Sequence, residues 1–352
     1  MKITKVKLLQ IFYITLLFTS CTKDFDFSTN SQIPDFPKEN WIQVPNVTDY
    51  SWSLKKLQSA EKFSKNSGSE CVMIIEEGKL IYSWGESNKK HYVASIRKSF
   101  LSLIYGYYVG NKIALDATLQ DYNINDKNPQ LNDIEKQATI KTLLTSSSGV
   151  YHKAAATDNQ NLPERNSRKP GELFYYNNWD FNTLGTIFEQ QTGQNIFSLF
   201  NDSISNRIGM QDFNWQTDGR YDFSDVSIHP AYHFDMTARD MARIGLLVLN
   251  NGNWDGKQII PEYWIKTISS NQISVSNEYG GGSYGFMWWV NNNGFLVDFA
   301  GVATDAFSAQ GNLSQIILII PSKKLVIVHR ASKNLDPSRM LMVIKMILNS
   351  KN

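Results

Sequence analysis

Cysteine is scarce in this chain of 352 residues: Cys21 and Cys71 alone exclude a disulfide framework and any cysteine-rich zinc site. An excess of one charge is lacking too. Lys and Arg number 35 against 33 Asp and Glu and are scattered, so no basic stripe offers itself to nucleic acid. Neither HExxH nor CxxC occurs, and the five histidines lack a metal-ligand spacing. No apolar run reaches the ~20 residues that a bilayer-spanning helix needs. What is present is core material. With 42% hydrophobic and 12% aromatic residues the chain can bury a sizeable core, which excludes disorder. At roughly 150 residues per domain, its length fits about two domains or one large composite.

The first 21 residues carry three lysines, an apolar run from Leu8 to Phe18, and then Thr19, Ser20 and Cys21. The run is too short to span a membrane, so residues 1–20 read as an export signal. Its end resembles a lipobox, in which the chain is cut before a cysteine that carries lipid; Phe18 stands where that motif usually has Leu. Lipidation is therefore expected on Cys21, and an ordinary signal end with a free cysteine is the alternative. With Lys2, Lys5 and Lys7 removed, the net charge falls from +2 to −1. Residues 21–45 are polar, contain Pro34, Pro37 and Pro45, and read as a tether. These features imply a lipid-anchored protein of the bacterial cell envelope, with the membrane as a partner. Cys71 sits in an apolar run and is expected to be a buried structural residue.

Residues 46–352 read as one domain. Val72–Ile75 and Leu80–Trp84 flank a Glu76–Lys79 turn, and Gln315–Ile320 and Lys324–His329 flank Pro321–Lys323, giving a hairpin near each end. Asp336 and Pro337 are suited to cap and open a last helix that runs to Leu348. The pattern is an α+β fold: an antiparallel sheet built from both chain ends, flanked by helices, with a mostly helical insertion over about residues 111–280.

Three short motifs compete for the chemistry. Gly252–Lys257 is one residue short of a phosphate loop and continues with Gln258 where Ser or Thr should stand. Gly281–Gly285 fits G-x-S-x-G, with Ser283, Asp298 and His329 in the order of an α/β-hydrolase triad. Residues that favour strand follow Ser283 where that elbow needs a helix, so a glycine-rich loop entering a strand is the better account. Ser-x-x-Lys occurs five times, but only Ser95/Lys98 stands at the head of a long apolar segment, Phe100–Val109, closed by Gly110 and Asn111. Residues three apart share a helix face, so the Lys98 amine can reach the Ser95 hydroxyl. Burial keeps such an amine uncharged and able to take the serine's proton. The N–H of Ser95 at the helix start can meet an oxyanion.

Several segments together resemble the serine β-lactamase-related hydrolases of the class C type, a group that includes penicillin-binding D-alanyl peptidases, carboxylesterases and 6-aminohexanoate-dimer hydrolases. They are Ala94–Phe100 (ASIRKSF), Thr142–Val150 (TLLTSSSGV), Lys169–Asn178 (KPGELFYYNN), Thr237–Gly245 (TARDMARIG) and Tyr284–Trp289 (YGFMWW), in the family's order. The resemblance implies that Tyr176 shares proton transfer with Lys98 and that Asn178 binds the substrate's carbonyl or amide. The third motif departs from the usual pattern: Phe307–Asn312 (FSAQGN) has Ala309 in the cation's place and is closest to the 6-aminohexanoate-dimer hydrolase branch. Gly311 and Asn312 would still border the substrate, with a backbone N–H near Asn312 facing the oxyanion. Trp179 either lines a substrate pocket or packs in the core. The expected function is a serine hydrolase that cleaves a small amide or ester through an acyl-enzyme on Ser95, with no metal or organic cofactor. A penicillin-binding peptidase or β-lactamase, and a non-catalytic surface lipoprotein with the same fold, are the alternatives.

Overall fold

In the computed structural model the residues described are 35–157, 161–294, 296 and 300–352. The signal segment, Cys21 and Asp298 lie outside them. Among the described residues no helix is long and apolar enough to cross a membrane.

The N-terminal hairpin forms because Glu77 and Gly78 both take positive φ, 52° and 83°, which lets β1 (Cys71–Glu76) fold straight back as β2 (Lys79–Gly85). Downstream, β3 (His91–Tyr92), β4 (Gly219–Asp222) and β5 (Ala231–Met236) make a small sheet in the order β3-β5-β4, inside or beside the region expected to be mostly helical. The short hairpin β6 (Asn253–Trp254) and β7 (Lys257–Gln258) occupies the phosphate-loop look-alike. Five more antiparallel strands complete the large sheet: β8 (Ile273–Ser274), β9 (Gly281–Tyr284), β10 (Trp289–Gly294), β11 (Phe307–Gly311) and β12 (Gln315–Ile320). With β13 (Leu325–Arg330) its order is β2-β1-β13-β12-β11-β10-β9-β8. The pairing of β1 with β13 joins the two chain ends, as expected for this α+β arrangement.

The central strands are buried on both faces, which is why they read as unbroken apolar runs rather than alternating ones. Val72, Ile74, Leu318 and Ile327 face α1 (Leu54–Ser67) and the last helix, while Met73, Ile75, Ile317 and Val328 face the larger core. That last helix, Pro337–Leu348, starts where Asp336 accepts the N–H of Ser338. Cys71 is buried, and desolvation pushes its thiol up to about 12, so it is inert.

Two expected boundaries move. Residues 35–45 are not tether: the Arg243 guanidinium donates to the carbonyls of Pro37, Lys38 and Glu39, and the Trp41 indole N–H to that of Arg239, fixing this segment on the domain. The helix that carries Ser-x-x-Lys, α2 (Ile96–Tyr105), ends four residues before Val109. The indole N–H of Trp264 takes the Ser102 carbonyl at 2.8 Å and its ring lies against Gly106, and from there the ladder tightens to i→i−3 bonds, Gly106 N–H to Leu103 and Tyr107 N–H to Ile104.

Candidate active site

The segment that leads into α2 is held rigidly. The Val93 N–H donates to the Phe234 carbonyl on β5, and Ala94 adopts a left-handed φ of 50°, a conformation that costs energy in a non-glycine residue and turns the chain abruptly into the helix. Ser95 is left half-buried at the helix start, and its N–H donates to no other group among the described residues. Further along α2, the hydroxyls of Ser99 and Ser102 donate to the carbonyls of Met287 and Phe286, tying the helix to the connection between β9 and β10.

One turn on from Ser95, Lys98 Nζ lies 2.7 Å from Ser95 Oγ, although Lys98 is only 2% exposed. Its other neighbours are the rings of Tyr176 and Phe181, each 5.0 Å away. Desolvation first, then the charge of Arg97, hold the amine well below the usual lysine range. An uncharged amine at hydrogen-bond distance can accept the serine's proton.

Tyr176 arrives from the opposite side. The loop after α3 (Ile140–Leu144) holds it in place: Ser146, at φ 52°, accepts the Tyr175 N–H on its carbonyl, donates its hydroxyl to the Tyr175 carbonyl, and receives the Asn177 N–H on Oγ. The Tyr176 hydroxyl hydrogen-bonds to Ser95. Burial pushes the phenol up to about 12, although the Ser95 hydrogen bond and the charge of Arg97 pull it down. Its ring stacks on Trp289 at 5.6 Å and 20°.

Of the other expected site residues, Asn178 is the half-buried first residue of α4 (Asn178–Thr192), and its side chain makes no hydrogen bond among the described residues. Its neighbour Asn177 caps that helix and donates to the Val150 carbonyl. Trp179 does not line a pocket. It is fully buried, and its indole N–H donates to Asp126 at 2.6 Å, because α4 turns this side chain inward. Gly311 ends β11 against the backbone of Ser95: a Cβ placed on it would lie 3.0 Å from Ser95 N. Asn312 follows as an exposed turn residue. Ala309, at the position where the resemblance expects a cation, is fully buried.

The competing elbow is absent. Ser283 is buried within strand β9, with no helix after it, and His329 is on β13, four strands away across the sheet, where it contacts the Ser69 hydroxyl and the Ser314 carbonyl. Among the described residues no cluster of His, Cys, Asp or Glu could hold a metal. Arg97 was not singled out from the sequence; its place inside a serine–lysine motif was the available signal.

With this geometry in view, a family model and the folds of solved structures can be compared with the chain. A profile described as beta-lactamase matches residues 66–342. An uncharacterized protein of Alkalihalophilus pseudofirmus is 23% identical over 264 residues, which cover 69% of this chain and 74% of that one. A Bacillus anthracis structure described as a candidate 6-aminohexanoate-dimer hydrolase superposes with TM-score 0.65 at 22% identity, covering 89% of this chain and 88% of that one. A class C β-lactamase in complex with cefoxitin gives 0.64 at 17%, covering 86% and 98%, and a penicillin-binding protein homologue from Caulobacter crescentus 0.64 at 15%, covering 85% and 98%. At such identities the structural likeness shows a shared fold, while the profile spans most of the chain. The chain belongs to the beta-lactamase family and has its serine-hydrolase fold.

Proposed function

We propose that this protein hydrolyses a small amide or ester through an acyl-enzyme on Ser95. The observation that carries the reading is the 2.7 Å contact between Ser95 Oγ and a buried Lys98 amine that burial holds well below the usual lysine range. The amine takes the hydroxyl proton as Oγ attacks the substrate carbonyl. The resulting oxyanion is met by the N–H of Ser95 and by a backbone N–H near Asn312, beside Gly311. Collapse of the tetrahedral intermediate expels the leaving group, which takes a proton from protonated Lys98 by way of Tyr176. Water then attacks the acyl carbonyl, gives its proton back along the same route and frees Ser95. Asn178, unengaged at the start of α4, binds the carbonyl or amide of the substrate. The buried Ala309 in place of a cation favours substrates without a carboxylate at that position. The sequence of residues 1–21 supports a lipoprotein anchored through Cys21 in the bacterial cell envelope.

The test is turnover of a panel of nitrophenyl esters and anilides by the wild type and by Ser95→Ala. Loss of turnover in a variant with unchanged circular dichroism and melting temperature is expected. Retained turnover by a folded Ser95→Ala protein rejects the mechanism. A long-lived penicillin adduct on Ser95 would move the substrate class toward a penicillin-binding peptidase.

A further inference from the structure

Arg97 is 3% exposed and lies between the nucleophile and its lysine in sequence. Among the described residues its guanidinium is held by neutral groups only: Nη2 donates to Asn182 Oδ1 at 2.8 Å, and the guanidinium carbon lies 4.4 Å from the Tyr232 ring centre. Nη1 has no hydrogen-bond partner among the described residues. Arg165, Arg220 and Arg239, by contrast, each meet a carboxylate. Asn182 is itself fixed, because its Nδ2 donates to the Ala155 carbonyl at 3.1 Å, which leaves Oδ1 facing the guanidinium. An unpaired buried cation is costly, and the fold builds a support for one beside its reactive serine.

We propose that Arg97 is a positioning residue of this site, whose uncompensated charge keeps Lys98 in its proton-accepting form and eases negative charge onto Tyr176. The inference rests on the reading of Ser95 as nucleophile. The side chains around Lys98 leave this role to Arg97. Tyr176, ahead of α4, and Tyr92, on β3, are both raised by burial and stay neutral. His233, on β5, is pushed down to about 3, first by burial and then by the charges of Arg97 and Arg220, so it too is neutral. Burial raises Asp180, on α4, well above the carboxylate range. Asp222 is half-exposed on the far side of His233, 3.0 Å from Nε2. None of these groups forms an ion pair with the guanidinium.

The experiment is the pH dependence of fluorophosphonate labelling at Ser95 in the wild type, Asn182→Asp, Arg97→Gln and Arg97→Lys. Asn182→Asp sets a carboxylate against the guanidinium without removing it, so the charge is cancelled at nearly unchanged side-chain volume, with the loss of the donor to the Ala155 carbonyl controlled by the Arg97→Gln variant, which keeps that donor. The expected result is that Asn182→Asp and Arg97→Gln move the acid limb upward by about one pH unit, the effect of a neighbouring unit charge in a buried site. Arg97→Lys should keep the limb near its wild-type position. A folded Asn182→Asp protein that labels more slowly at every pH, with its limb unmoved, overturns the inference and leaves the nucleophile intact. A wild type that does not label at Ser95 overturns the nucleophile reading itself.

Discussion

Gly311→Ala tests how closely strand β11 and the nucleophile must fit. A Cβ on Gly311 would lie 2.6 Å from the Val93 carbonyl oxygen, 3.0 Å from Ser95 N and 3.2 Å from Ala94 Cβ. Two of these are backbone atoms, held by the Val93–Phe234 hydrogen bond and by the left-handed Ala94, so they cannot turn aside as a flexible side chain would. A carbon–oxygen contact relaxes at about 3.3 Å, so the strand must retreat by about 0.7 Å. The retreat draws the backbone N–H of the strand end away from the oxyanion that Ser95 N–H also meets. Misplacement on the order of 1 Å, or loss of one oxyanion donor, slows acylation by about 10²-fold, or about 3 kcal/mol of barrier. Gly311 does not have positive φ, so the overall stability loss should stay within the roughly 1–3 kcal/mol of an overpacked site. The assay is the second-order rate of fluorophosphonate labelling beside a urea denaturation curve. A folded Gly311→Ala protein that labels within twofold of the wild type would refute this placement of the oxyanion site.

Lys98→Met should lower acylation by about 10²–10⁴-fold, measured as the same labelling rate. It should also stabilise the protein at neutral pH, because the native amine is held below its unfolded value and the unfolded chain binds the extra proton. The wild type therefore gains stability as pH rises from the depressed native value toward ~10.4, and the advantage of the variant should vanish there, as urea curves at several pH values will show. Asp126→Asn should destabilise by about 2–3 kcal/mol at pH 7, since Asp126 accepts from Trp179, Ser227 and the Ile228 N–H. Burial alone would raise that carboxyl, yet these hydrogen bonds hold it below the usual range, so the difference should shrink as pH falls through the native value.

Much of this arrangement was legible because local chemistry and tertiary context agree. The Glu77–Gly78 turn, the Pro321–Lys323 link and the Asp336 cap are each set by a few neighbouring residues, and the structure forms all three as expected. The serine–lysine spacing likewise needs one helical turn. What could not be read depends on residues far apart in the chain. The end of α2 at Tyr105 falls where Trp264 packs, and residues 35–45 are ordered by Arg243. Trp179 is turned into the core by Asp126, 53 positions earlier. The small sheet that carries Tyr232 and His233 joins β3, ahead of the helical region, to β4 and β5 within it, and β3 and β4, at two and four residues, are too short to show a period of their own.

The most direct test of the central claim is fluorophosphonate labelling of the purified protein, with peptide mapping of the modified residue and a Ser95→Ala control. A single adduct on Ser95, absent from the control, is the predicted result. An adduct on Ser283, or none on a folded protein, would contradict it, the first moving the chemistry to a different serine and the second leaving a binding protein with this fold.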